Sequence, residues 1–157
     1  MPLTPLHFGL NTSVGIIFKK YINIPMCVLS NVIIDIQPFL VVFFDCKFEL
    51  HGFSHTLIGG SAIMLPVSVI FGLIRKKITK QKISIVSYIL GGEVGVLLHL
   101  FLDSLMHSDM VVFLPFSDFV VANEHTKKFV NPVWIAGYIL MILLIIINTV
   151  LRIKRKP

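Results

Sequence analysis

Charge is scarce in this sequence: only 14% of its 157 residues are Asp, Glu, Lys or Arg. Soluble domains carry about 25%, so there are too few charges here to coat a surface facing water. With 55% hydrophobic residues and a mean hydropathy of +0.89, a soluble globular domain is excluded. Cysteine is scarce too. Cys27 and Cys46 have no paired metal-ligand spacing, which excludes a disulfide framework and a thiolate metal cage and leaves both as structural filler. The N-terminus lacks the basic region and small-residue cleavage site of a signal peptide. Acidic residues number 8 against 14 Lys and Arg, for a net charge of +6. That balance invites a nucleic-acid partner, but the charges are placed against it. They cluster at Lys19–Lys20, at Arg75–Lys77 with Lys80 and Lys82, and at Arg152 with Lys154–Lys156. Each cluster ends an apolar run, as membrane anchors do.

What the chain does have is long uncharged stretches. A bilayer core requires about 20 predominantly apolar residues per helix. Gly52–Ile74 and Val133–Leu151 contain no Asp, Glu, Lys or Arg, and Ile83–Leu102 contains only Glu93. Leu6–Phe18 is apolar but short. Tyr21–Phe44 is long enough but carries Asp35, Pro25 and Pro38. Pro38 has no N–H to donate to residue 34, so a break is expected near Asp35. Open strands cannot cross lipid. The expected fold is therefore all-α: a polytopic transmembrane bundle of three full spans plus two shorter or broken N-terminal helices, forming one membrane-embedded domain over residues 1–157. If the five segments alternate in direction, the basic clusters share one face, leaving Lys47, Lys127 and Lys128 on the other. The crowded face is expected to be cytoplasmic, with the C-terminus, in a multi-pass protein of the cell membrane. Gly59–Gly60 and Gly91–Gly95 are expected to let the third and fourth segments approach closely.

Ionisable residues in such segments are costly, and each raises a functional hypothesis. His99, Asp103 and His107 recur every fourth residue, on one face of a helix. His51 and His55 are again four apart, at the start of the third segment. His7 opens the first, and Asp35 sits beside the proline break. Alternating topology brings all seven toward the non-cytoplasmic side. His and carboxylate at helical spacing can share a metal ion. The plain alternative for His99 and Asp103 is a hydrogen-bonded pair between helices. Glu93 reads as a structural pairing group and His125 as an interfacial polar residue.

At these residues the chain resembles the YdjM-like family of membrane-bound metal-dependent hydrolases. The resemblance runs through Met1-Pro2-Leu3-Thr4-Pro5-Leu6-His7-Phe8-Gly9, Asp35-Ile36-Gln37-Pro38 and His51-Gly52-Phe53-Ser54-His55-Thr56. It continues through the stretch from His99 to His107 and Leu114-Pro115-Phe116-Ser117. It implies a helical membrane enzyme whose metal or active-site residues are His7, Asp35, His51, His55, His99, Asp103 and His107. A more distant similarity to zinc-dependent phospholipase C-like proteins implies a divalent cation, zinc, as cofactor. Gln37 stands where the family often has a second acidic residue, and Gly52 where it often has Arg.

The expected function is hydrolysis at a His/Asp metal site near the outer leaflet, acting on a lipid or phosphoester. Asp35 is expected either to bridge or to act as general base, and the lipid bilayer itself is the expected partner. Two other readings use the same residues: a non-enzymatic metal or proton pathway, and a metal that only staples helices. An inverted repeat, which a transporter commonly shows, is not visible in five unequal segments.

Overall fold

The computed structural model describes residues 5–80 and 83–154. Met1–Thr4 of the opening motif and the anchor residues Lys82, Arg155 and Lys156 lie outside them. Six α-helices and one 3-10 turn carry the described chain: α1 (Pro5–Ile17), α2 (Ile24–Ile34), α3 (Ile36–Phe44), the turn Phe53–His55, α4 (Leu57–Thr79), α5 (Ile85–Ser104) and α6 (Glu124–Lys154). No strand occurs among the described residues.

The starts are set by local chemistry. Asn23 Oδ1 accepts from Met26 N at 3.0 Å, with Pro25 in the first turn of α2. Thr56 Oγ1 accepts from Gly59 N at 2.9 Å to cap α4. Asn123 Oδ1 takes the His125 and Thr126 amides at 2.9 and 3.0 Å to cap α6.

Among the described residues, four helical stretches are long and apolar enough to cross a membrane: 24–44, 57–79, 85–104 and 124–154. The first is the broken segment, α2 and α3 joined through Asp35, which is therefore long enough to count as a span with the other three. α1 has 13 residues. At about 1.5 Å per residue it is roughly 20 Å long, short of a hydrocarbon core of about 30 Å. The many exposed large hydrophobics, among them Ile70, Phe71, Ile142 and Ile146, form the surface that lipid covers.

The histidines and the basic clusters fall at opposite ends. His7 opens α1 while Lys19 and Lys20 follow its end. His55 precedes α4 while Arg75–Lys77 close it. His99 and Asp103 lie in the last turns of α5. α6 packs on α1, and α5 packs between α2 and α4.

Small residues make these approaches possible. A Cβ on Gly9 would fall 2.8 Å from Tyr138 N, and one on Gly137 would fall 3.0 Å from Leu10 N. Gly60 and Gly92 let α4 and α5 meet through Val96 and Met64. Gly91 and Gly95 do something other than expected: they face α2, where a Cβ would overlap backbone oxygens of Asn23 and Cys27. The period-four glycine face of α5 therefore seats α2, the helix that carries Asp35. Gly95→Ala is expected to cost about 1–3 kcal/mol, because the Cys27 carbonyl as well as the Ser30 side chain must move. Gly72→Ala, whose Cβ would meet only Tyr88 and Ile85 side-chain atoms at 3.5–3.6 Å, is the neutral control in the same detergent unfolding series.

Candidate metal centre

The proline break builds the centre. Pro38 cannot donate to the Ile34 carbonyl, and that freed oxygen is met by Ser54 Oγ at 3.2 Å. Asp35 sits at the junction with φ −76° and ψ −2°, between α2 and α3. Its carboxylate joins those of His55, His99 and Asp103 in a group whose ligand atoms all lie within 4.8 Å of one another. His99 Nε2 lies 3.2 Å from Asp35 Oδ1 and 3.3 Å from Asp103 Oδ2. His55 Nε2 lies 3.5 and 3.6 Å from the same two oxygens, and the two Nε2 atoms are 3.5 Å apart. All four residues are buried.

The outer hydrogen bonds decide which nitrogen of each ring faces inward. Ser54 Oγ also lies 3.0 Å from His55 Nδ1. A hydroxyl has one proton, and the Ile34 carbonyl can only accept. The Ser54 proton therefore goes to Ile34, and His55 donates from Nδ1. For His99 the chain of reasoning starts further out. Asn11 Nδ2 donates to the Cys27 and Gly95 carbonyls at 3.1 and 3.3 Å and to Asn31 Oδ1 at 2.9 Å. Asn31 Nδ2 donates to Val28 O at 3.0 Å. Asn31 Oδ1 is thus an acceptor aimed at His99 Nδ1, 3.2 Å away. Both rings then carry their proton on Nδ1 and present an Nε2 lone pair to the centre.

Two lone pairs and two carboxylates so placed repel one another, and buried charge without compensation is costly. Neither Asp103 oxygen has a hydrogen-bond donor in bonding geometry among the described residues, although three histidine nitrogens approach within 3.0–3.6 Å. A cation resolves this arrangement, and groups that accept the Nδ1–H proton, as Ser54 and Asn31 do, are what metal-binding histidines need. The cluster can hold a metal ion.

His7 Nε2 lies 3.0 Å from the other Asp103 oxygen, its ring 4.5 Å from that of His99 and edge-on to Trp134 of α6 at 6.3 Å. His51 and His107 stand apart from the inner group, with Asp109. The expected single helical face through His107 is not formed: α5 ends at Ser104, and His107 lies beyond it in a turn, its N–H on Asp103 O at 2.9 Å. His51 and His55 likewise precede α4 rather than sharing its face. They divide between the two groups with ring centroids 5.1 Å apart. His51 Nδ1 meets Asp109 Oδ2 at 2.8 Å, and the His51 and His107 rings are 4.2 Å apart. Burial, then the neighbouring His51, lowers His107 from the ordinary histidine value, against the opposing pull of Asp103 and Asp109. Burial works to raise Asp109, but the His51 hydrogen bond and charge outweigh it and hold the carboxyl low.

His125 is exposed and apart from both groups. Glu93 Oε1 is buried without a hydrogen-bond partner among the described residues. Gln37, in place of the family's frequent acid, is no member of either group. Its Nε2 donates to Glu49 O at 3.1 Å and its Oε1 accepts from Ser54 N at 3.0 Å, clamping the segment that carries His51 and His55. A Cβ on Gly52 would overlap the Gln37 amide. Gln37 therefore requires a residue without a Cβ at position 52. Spacing missed Asp109, Asn11, Asn31 and Ser54. A signal existed for two: Asn11 lies four residues after His7 and Asn31 four before Asp35, polar steps along the same helix faces.

A cleft of about 870 Å³ opens beside the outer group, bounded by His51, Asp109, Phe53, Ile58, Leu114 and Pro115.

No curated protein and no solved structure matches the chain. The profile of the YdjM inner membrane protein family matches residues 13–156, from within α1 to past the end of α6. That match covers both histidine groups except His7, and with it the helical membrane bundle places this chain in the YdjM inner membrane protein family.

Proposed function

We propose that the protein is a membrane-bound metal-dependent hydrolase acting on a lipid or phosphoester at the non-cytoplasmic side of the membrane. The convergence of two oriented Nε2 lone pairs and two carboxylates carries this reading. Asp35, His55, His99 and Asp103 would hold the ion, with His7 supporting Asp103. Two nitrogens and two oxygens suit zinc. A bound ion supplies Lewis acidity, lowering the pKa of water and polarising a substrate oxygen. Asp35 is the member with residual access, its side chain 10% exposed against 0% for His55, His99 and Asp103. Its access supports the general-base role for Asp35, the alternative being a bridging ligand that leaves the base role to another group. The positions of the basic clusters support a cytoplasmic C-terminus and an outward-facing site.

Four protein ligands are also the complement of a closed structural zinc site, which favours the staple as second reading. The purified protein in detergent is expected to carry bound zinc, and an esterase and phosphodiesterase panel to give metal-dependent turnover. Bound metal without turnover supports the staple. Metal or proton flux in proteoliposomes supports the pathway. Absence of bound metal overturns the proposal.

The orienting partners give a further expected result. Ser54→Ala leaves His55 in place but removes the group that fixes its tautomer. Zinc affinity is expected to fall about 10–100-fold with the helical circular dichroism unchanged, read by competition with a chromophoric chelator.

A further inference from the structure

The outer group is built differently from the inner one. His51, His107 and Asp109 offer ligand atoms within 4.8 Å of one another. His51 and His107 each have a buried Nε2 without a hydrogen-bond partner among the described residues. The His51 side chain is 1% exposed while that of Asp109 is 58% exposed. One flank of this group is therefore sealed, and the other opens to the cleft lined by His51 and Asp109. Three protein ligands with an open side are the arrangement of a catalytic site, whereas four buried ligands are that of a closed one.

The charges around the cleft favour a cation. Its described lining contains Glu49 and Asp109 but no Lys or Arg. A phosphate or ester oxygen entering this cleft meets carboxylates and no fixed cation. Anion binding there requires a charge that the side chains do not supply.

We propose that His51, His107 and Asp109 hold a second divalent transition-metal ion, and that this outer ion is what receives an anionic substrate oxygen in the cleft. A cation among them takes up the two orphaned nitrogens and has the Asp109 carboxylate as counter-charge. The inference rests on the hydrolase reading but fails separately from it. The full-length protein in detergent is loaded with zinc, dialysed, and its metal content measured by elemental analysis. Two ions per chain are expected, falling to one in Asp109→Asn and in His107→Gln. Inorganic phosphate, titrated against the zinc-loaded protein by ³¹P relaxation, is expected to bind about 10-fold or more weakly in both variants. One ion in the unaltered protein, retained in both variants, would overturn the second site and leave the inner centre standing. Two ions with unchanged phosphate affinity in the variants would overturn the substrate-binding role. No bound ion would remove both this inference and the hydrolase proposal.

Discussion

Asp103→Asn is expected to weaken metal retention in the inner cluster by about a hundredfold or more, beyond what loss of an outer hydrogen bond costs. Asp103 is the point at which four helical segments meet. Oδ1 faces His7 of α1 at 3.0 Å, and Oδ2 faces His99 of α5 at 3.3 Å and His55, ahead of α4, at 3.6 Å, while Asp35 at the end of α2 shares the two Nε2 atoms. The substitution keeps the shape, removes the charge and places an amide donor where one carboxylate oxygen stood. His99→Ala is expected to behave alike, because it removes the ring that contacts both carboxylates. Elemental analysis of the purified variants beside the unaltered protein reads the effect. Full metal content in both would mean that the four groups converge for some other reason, a proton-sharing network being the obvious one. Since Asp103 is buried among histidines rather than packed against apolar side chains, the Asn variant should stay folded, and retained helicity makes the reading clean.

The bundle was legible because it rests on bulk physics: uncharged runs long enough for a bilayer, basic clusters at their ends, and a proline that must break a helix. The meeting of Asp35, His55, His99 and Asp103 has a related reason, since ionisable groups in apolar segments are costly unless they meet, although only His99 and Asp103 stand four residues apart. Three things were not legible. The end of α5 at Ser104 depends on tertiary contacts, so the periodicity through His107 ran past the helix and assigned that residue to the wrong face. Asp109 lies in the loop between α5 and α6, where no period constrains direction. The partner of Gly91 and Gly95 was misplaced because small residues announce a close approach without naming which helix approaches. Gln37 and Gly52 show a further limit: only the fold shows that the Gln37 amide lies where a side chain on Gly52 would be.

Removing the metal should then be felt by the whole fold. The inner cluster gathers carboxylates and imidazole lone pairs from α2, α5 and the turn before α4, with His7 of α1 against Asp103. Without a cation these groups push apart or must take up protons. An ion that binds only the folded state stabilises it by about 4 kcal/mol when its free concentration is roughly a thousandfold above Kd. For a chain of this size that corresponds to a fall of about 8–16 °C in Tm on chelation. Zinc should restore the loss and magnesium should not, because magnesium keeps its waters and favours all-oxygen sites over imidazole nitrogen. The outer ion, with one flank open, should leave first and without much effect on Tm. Chelator titration is therefore expected to release metal in two steps, with the melting point falling on the second. A proton pathway gives the opposite result: its histidines and aspartates work by exchanging protons, and a chelator would leave the melting curve where it was.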